Sequence, residues 1–95
     1  MQLPIRVVRN GTRACSASGA TRNLSSGGVF FTSDTRVDTG DAIEYTIELQ
    51  PSDNTPHIWL RCLGKVVRSQ PAGADAAEFE VAATLERYEF VRARE

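Results

Sequence analysis

From Ala42 to Leu49 polar and apolar residues alternate without a break. Ile43, Tyr45, Ile47 and Leu49 fall on one side, Glu44, Thr46 and Glu48 on the other. Successive side chains of an extended strand point to opposite faces, so this segment predicts an antiparallel strand with one buried and one wet face. The rest of the chain carries the same type of signal. Leu3–Arg9 reads as a first strand, with Pro4 tolerated near its start. Asn10-Gly11 supplies a tight hairpin turn, and a small-residue strand returns through Thr12–Arg22. Gly19 inside that strand predicts a bulge or a close backbone approach. Gly28–Thr32 is a third strand, and Asp38-Thr39-Gly40-Asp41 is the turn into the alternating fourth.

Residues 51–56 are a loop by composition, and His57–Arg68 is a long fifth strand. In it Ile58, Leu60 and Cys62 share one face, and Trp59, Arg61 and Leu63 the other. Gly64 then interrupts the pattern before Val66-Val67, which predicts a bend or bulge at the glycine. Residues 71–75 form a hairpin loop, and Phe79, Val81, Ala83 and Leu85 alternate with polar or small residues in a sixth strand. The tail from Glu86 to Arg92 fits either a continued strand or a short C-terminal helix. Six short strands, with turns about every ten residues, predict a small all-β barrel or sandwich. Closure is favoured because an open sheet of this size leaves edges bare. The expected architecture is therefore a six-stranded antiparallel β-barrel of Greek-key-like topology.

A chain of 95 residues makes one domain, so 1–95 is read as a single barrel, whether whole or excised from a longer chain. The formal net charge of −1 speaks against binding nucleic acid through bulk positive charge. An oligonucleotide-binding barrel would also need surface aromatics interleaved with cations, and only Trp59, Tyr45, Tyr88 and Phe30 are on offer. Lys65 is the sole lysine among eleven cations, leaving ten arginines. Arginine suits phosphate recognition, although a GC-rich genome produces the same bias. Cys15 and Cys62 lie far apart with no neighbouring histidine; two reduced, buried thiols are the simpler reading, a single disulfide the alternative.

No apolar run approaches the roughly 18 residues of a membrane span, and no secretory leader is visible, so a soluble protein without membrane contact is expected. His57 is the only histidine, which disfavours a serine–histidine triad or a histidine metal site. Asp34, Asp38 and Asp41 are spaced as turn formers and lack the pattern of a calcium loop. Glu44 and Glu48 lie on a wet face with no sign of a pocket for acid–base work. The expectation is a binding domain, not an enzyme, with no metal and no cofactor.

The segment Arg22-Asn23-Leu24-Ser25-Ser26-Gly27-Gly28 carries the most specific chemistry. Short polar residues cap turns. Gly27-Gly28 is expected to take positive φ and to let another surface approach without a Cβ in the way. Asn23-x-Ser25-x-x-Gly28, followed by Val29-Phe30-Phe31, is similar to the [Asp/Asn]-x-Ser-x-x-Gly motif of the PilZ domain family. The likeness extends along nearly the whole chain. The opening Leu3-Pro4-Ile5-Arg6-Val7, the Thr39-Gly40-Asp41 turn, Leu63-Gly64-Lys65-Val66-Val67-Arg68 and the closing Phe79-Glu80-Val81-Ala82 fall in the family's order.

This resemblance implies a barrel that binds the bacterial second messenger cyclic di-GMP in the cytoplasm and passes the signal to a protein partner or neighbouring domain. Asn23 and Ser25 would read guanine, and Gly28 would leave space for the base. The family also places an Arg-x-x-x-Arg pair just ahead of the first strand, to hold phosphates and stack on guanine. Here only Met1 and Gln2 precede that strand. Arg9 and Arg13 have the spacing but span the first hairpin; together with Arg22 (and Arg6) they are the candidate substitutes. The competing reading is a PilZ-like protein-interaction domain that binds no nucleotide.

Overall fold

A computed structural model describes residues 2–49, 58–73 and 77–92. The predicted loop 51–56, the strand start at His57 and part of the predicted loop 71–75 lie outside the described residues. Seven strands follow in chain order: β1 (Pro4–Asn10), β2 (Arg13–Ser25), β3 (Gly28–Ser33), β4 (Ala42–Leu49), β5 (Ile58–Pro71), β6 (Phe79–Thr84) and β7 (Arg87–Arg92). All pairings are antiparallel, in the order β4-β1-β2-β3-β6-β5, and β4 pairs with β5 to close the ring. The fold is thus a closed six-stranded β-barrel, as the alternation and the need to remove edges predict.

The tail resolves the remaining ambiguity. β7 continues the line of β6 along β5, pairing Arg87 with Leu63 through Arg92 with Ile58. A short C-terminal helix is absent from the described residues; Tyr88 and Phe90 alternate with Arg87 and Glu89, a period-two pattern that suits a strand.

The apolar positions predicted to share a face do so. Ile43, Tyr45 and Ile47 of β4 are buried with Ile5 and Val7 of β1, Phe31 of β3, Leu60, Cys62 and Val66 of β5, and Val81 and Ala83 of β6. The rings of Phe31 and Tyr45 stack at 6.3 Å between centroids. Val37, in the loop between β3 and β4, is also buried and caps this core. Both cysteines are free thiols: Cys62 is buried, and half-buried Cys15 donates to the Val7 carbonyl.

A small barrel bends its strands sharply, and two glycines permit it. A Cβ on Gly19 would collide with the Thr32 carbonyl, and one on Gly64 with the Thr84 carbonyl. The close approach expected at Gly19 is therefore present. At Gly64 the expected interruption is not: Leu60, Cys62, Gly64 and Val66 form one unbroken buried series. The slip in β5 comes later, between Val66 and Arg68. Gly64 keeps the alternation and makes room for β6.

Candidate functional site

The motif is built by a bulge. Thr21, Asn23 and Ser25 have the same parity along β2, so a regular strand would send all three to one face. Thr21 does point inward: it is buried and pairs with buried Phe31. The register then slips, and Asn23 pairs with Phe30 instead. Arg22 is the inserted residue. Cross-strand partners share a face, and an extra residue re-aims the side chains after it. Asn23 and Ser25 are thereby turned to the outer surface, beside Phe30 and Gly28.

The predicted turn Arg22–Gly28 is consequently shorter than expected. Residues 22–25 belong to β2, and only Ser26 and Gly27 form the connection. The positive φ expected at Gly27-Gly28 is absent; Gly11 and Gly40 are the glycines that adopt it. Gly28 has a different constraint, since a Cβ there would lie 2.8 Å from the Ala83 carbonyl of β6. The surface that approaches it is the neighbouring strand.

These residues line a shallow groove of about 360 Å³, floored by Phe30, Ala82 and Thr84 and bordered by Asn23, Ser25, Gly28 and Val67. Asn23 and Ser25 are exposed. The Ser25 hydroxyl reaches the Gly28 carbonyl at 3.4 Å, too long to hold it firmly. The Asn23 amide makes no hydrogen bond with the described residues. Two polar side chains with free hydrogen-bonding capacity thus stand over an apolar floor, the usual composition of a small-ligand site.

The structure does not bring Arg9 and Arg13 to this groove. They flank the β1–β2 hairpin, Arg9 pairing with Ala14 and Arg13 with Asn10, and ten strand positions separate Arg13 from Asn23, about 33 Å of extended chain. Arg9 is turned outward by a slip in β1 and lies 3.8 Å from Glu44. Arg61 holds the same carboxylate at 2.8 Å and approaches Glu89 at 3.6 Å. In a second groove, lined by Glu44, Arg61, Leu63, Arg87, Tyr88 and Glu89, Arg61 thus engages both carboxylates. Arg6 borders a third groove with Ser18 and Trp59. Of the candidate arginines only Arg22 is sequence-adjacent to Asn23.

Arg68, which from sequence reads as a solubilising surface charge beside the Gly64–Val67 segment, stands outside the candidate set. Arg68 pairs with Ala82, Ala82 with Phe30, and Phe30 with Asn23, so the four residues form one row across the outer surface. Spacing alone hides this, because it depends on the slip at Val67.

Fold and site together define a small β-barrel binding module, with a polar-rimmed surface groove and no assembled catalytic group among the described residues. The PilZ domain family matches residues 1–90, and the chain belongs to that family, whose members are binding and regulatory domains known for recognising cyclic di-GMP. No curated protein and no solved structure matches the chain significantly. Among the described residues no helix is long and apolar enough to cross a membrane.

Proposed function

We propose that this chain is a cyclic di-GMP receptor module that relays ligand binding to a protein partner or a neighbouring domain. The observation that carries the reading is the Arg22 bulge, which turns Asn23 and Ser25 outward at the rim of the groove beside Gly28. Guanine presents the O6 and N7 acceptors on one edge. The Asn23 amide and the Ser25 hydroxyl are donors of the right kind, and Phe30 offers an apolar floor for the base. Binding would order the exposed β2–β3 hairpin and shift the population of surfaces open to a partner. A cytoplasmic location accompanies this reading, as does a single domain over 1–95, standing alone or within a longer chain.

The test is a cyclic di-GMP titration of the chain, monitored by backbone amide shifts. The expected result is perturbation centred on Asn23, Ser25 and Gly28, shifted to higher nucleotide concentration in Asn23→Ala. Unmoved amides there at saturating nucleotide would remove the receptor reading.

A specific observation favours the second reading, a protein-docking PilZ domain without nucleotide. Arg9 is engaged by Glu44, and Arg13 stands at the far end of β2. A charge-assisted hydrogen bond contributes about 1.5–3 kcal/mol, so a site lacking two such arginines loses about a hundred- to ten-thousandfold in affinity. The docking reading predicts no nucleotide-induced shift anywhere in the barrel.

A further inference from the structure

Two of the barrel's bulges face each other across the motif groove. In β2 the slip at Arg22 turns Asn23 outward; in β5 the slip at Val67 does the same for Arg68. Val66 and Arg68 have equal parity, yet Val66 is buried against Ala83 while Arg68 pairs with outward Ala82. In an unslipped strand of the same residues Arg68 would point into the core. The opposite edge of β5 is pinned at this point: Gly40 donates to the Val66 carbonyl at 2.7 Å, and Val66 donates to the Asp41 carbonyl at 2.8 Å. That turn relies on Gly40, whose φ is +95°. The additional residue is accommodated against β6, on the groove side, and exposed Val67 becomes part of the groove wall.

The result is a row with a neutral hydrogen-bonding residue at one end and a guanidinium at the other. Asn23 and Arg68 are three inter-strand steps apart, about 14 Å along the surface. An extended arginine side chain bridges part of that distance, leaving a gap on the scale of one nucleotide. Arg68 is also uncommitted. Arg9, Arg36 and Arg61 are tied to carboxylates, whereas Arg68 has no ion pair among the described residues. The nearby Glu80 carboxylate accepts from Gln70 at 3.1 Å, and that of Glu86 from Thr84 at 2.9 Å. A planar, always-charged fork with free donors, carried by a residue that follows Val67 and pairs with Ala82 of the groove lining, suits a phosphate.

We infer that Arg68 is the phosphate-binding residue of this groove, supplying its cation from β5. This inference rests on the cyclic di-GMP reading above. Asn23 and Ser25 then determine which base is accepted, and Arg68 contributes affinity through charge.

The experiment is calorimetric titration of cyclic di-GMP and cyclic di-AMP into the 95-residue chain and its Arg68→Ala, Arg68→Lys, Asn23→Ala and Arg13→Ala variants, at two salt concentrations. Arg68→Ala is expected to weaken cyclic di-GMP by about ten- to a hundredfold. It should also flatten the salt dependence while keeping the preference for guanine. Arg68→Lys should recover part of the affinity, Asn23→Ala should erase the base preference, and Arg13→Ala should bind as wild type. Amide spectra of each variant check that the barrel is intact. Wild-type binding with Arg68→Ala unchanged in affinity and salt dependence overturns the inference and leaves the receptor reading standing. No binding by the wild-type chain overturns both.

Discussion

The Tyr45 hydroxyl donates to the Thr84 carbonyl at 3.1 Å, joining β4 to the end of β6. Tyr45 is completely buried, and the same carbonyl passes over Gly64. Tyr45→Phe keeps the ring stacked on Phe31 and removes this bond together with the hydroxyl's contact with the Cys62 thiol. The expected cost is about 1 kcal/mol, read as a lower urea midpoint with an unchanged denaturant slope. Because the ring lies inside the barrel, the variant should respond to cyclic di-GMP as the wild type does.

Alkaline pH should weaken the fold through two buried groups. Burial, the largest cause, pushes the Cys62 thiol from its ordinary 9.0 up to about 11. Burial raises the Tyr45 phenol well above its ordinary 10.0, aided by its proximity to Cys62. Both folded values lie above the unfolded ones, so these groups bind protons more tightly in the native state. Their contribution is complete below pH 9 and declines as pH rises through 9 and beyond. Thermal unfolding should show a melting temperature that falls across this alkaline range, and less steeply in Cys62→Ala at matched pH.

Acid should act through Asp34. The Ser18 N–H donates to its carboxylate at 2.9 Å, and the Thr35 hydroxyl does so at 3.0 Å. These bonds, the Ser18 one foremost, hold the carboxyl below its ordinary 3.8. A depressed folded value means that the contribution is present above the unfolded pKa and lost as pH falls through the folded one. Asp34→Asn should therefore flatten the acid limb of the stability curve below about pH 4, with little change in its alkaline limb.

Adjacent glycines in the motif should respond oppositely to alanine. Gly27 has open space where a Cβ would go, whereas at Gly28 it would meet the Ala83 carbonyl at 2.8 Å. Gly27→Ala should stay within about 0.5 kcal/mol of wild type. Gly28→Ala should lose about 1–3 kcal/mol, since a backbone carbonyl cannot rotate away. Equal urea midpoints for the two variants would contradict this arrangement.

Deleting Arg22 should remove the bulge and keep the motif facing outward. The deletion makes Asn23 the direct neighbour of inward Thr21, so regular alternation itself keeps Asn23 and Ser25 outward, opposite Phe30 and Gly28. The expected outcome is a stability within about 1 kcal/mol of wild type by urea unfolding with the Asn23–Phe30 pairing retained, whereas an Arg22→Ala control keeps the extra residue and the bulge.

Much of this protein could be read from its residues alone. The alternation of Ile43, Tyr45 and Ile47 determined a half-buried strand, because period-two patterning has one physical solution. Asn10-Gly11 marked a hairpin whose connection is Gly11-Thr12, one residue later than expected, with Asn10 paired to Arg13 and Gly11 at a φ of +65°. The ordered motifs from Leu3 to Ala82 were enough to indicate the family. The tertiary structure decided every feature that depends on register. A bulge is a one-residue mismatch between two strands, and neither strand's sequence reveals its partner's alignment. Asn23 looked like a turn residue but is a strand residue turned outward by Arg22, and Gly28 serves the approach of Ala83. Arg68 joins Asn23 in one row only because β5 slips at Val67. Local pattern determined which residues are buried, and strand pairing determined which polar groups meet.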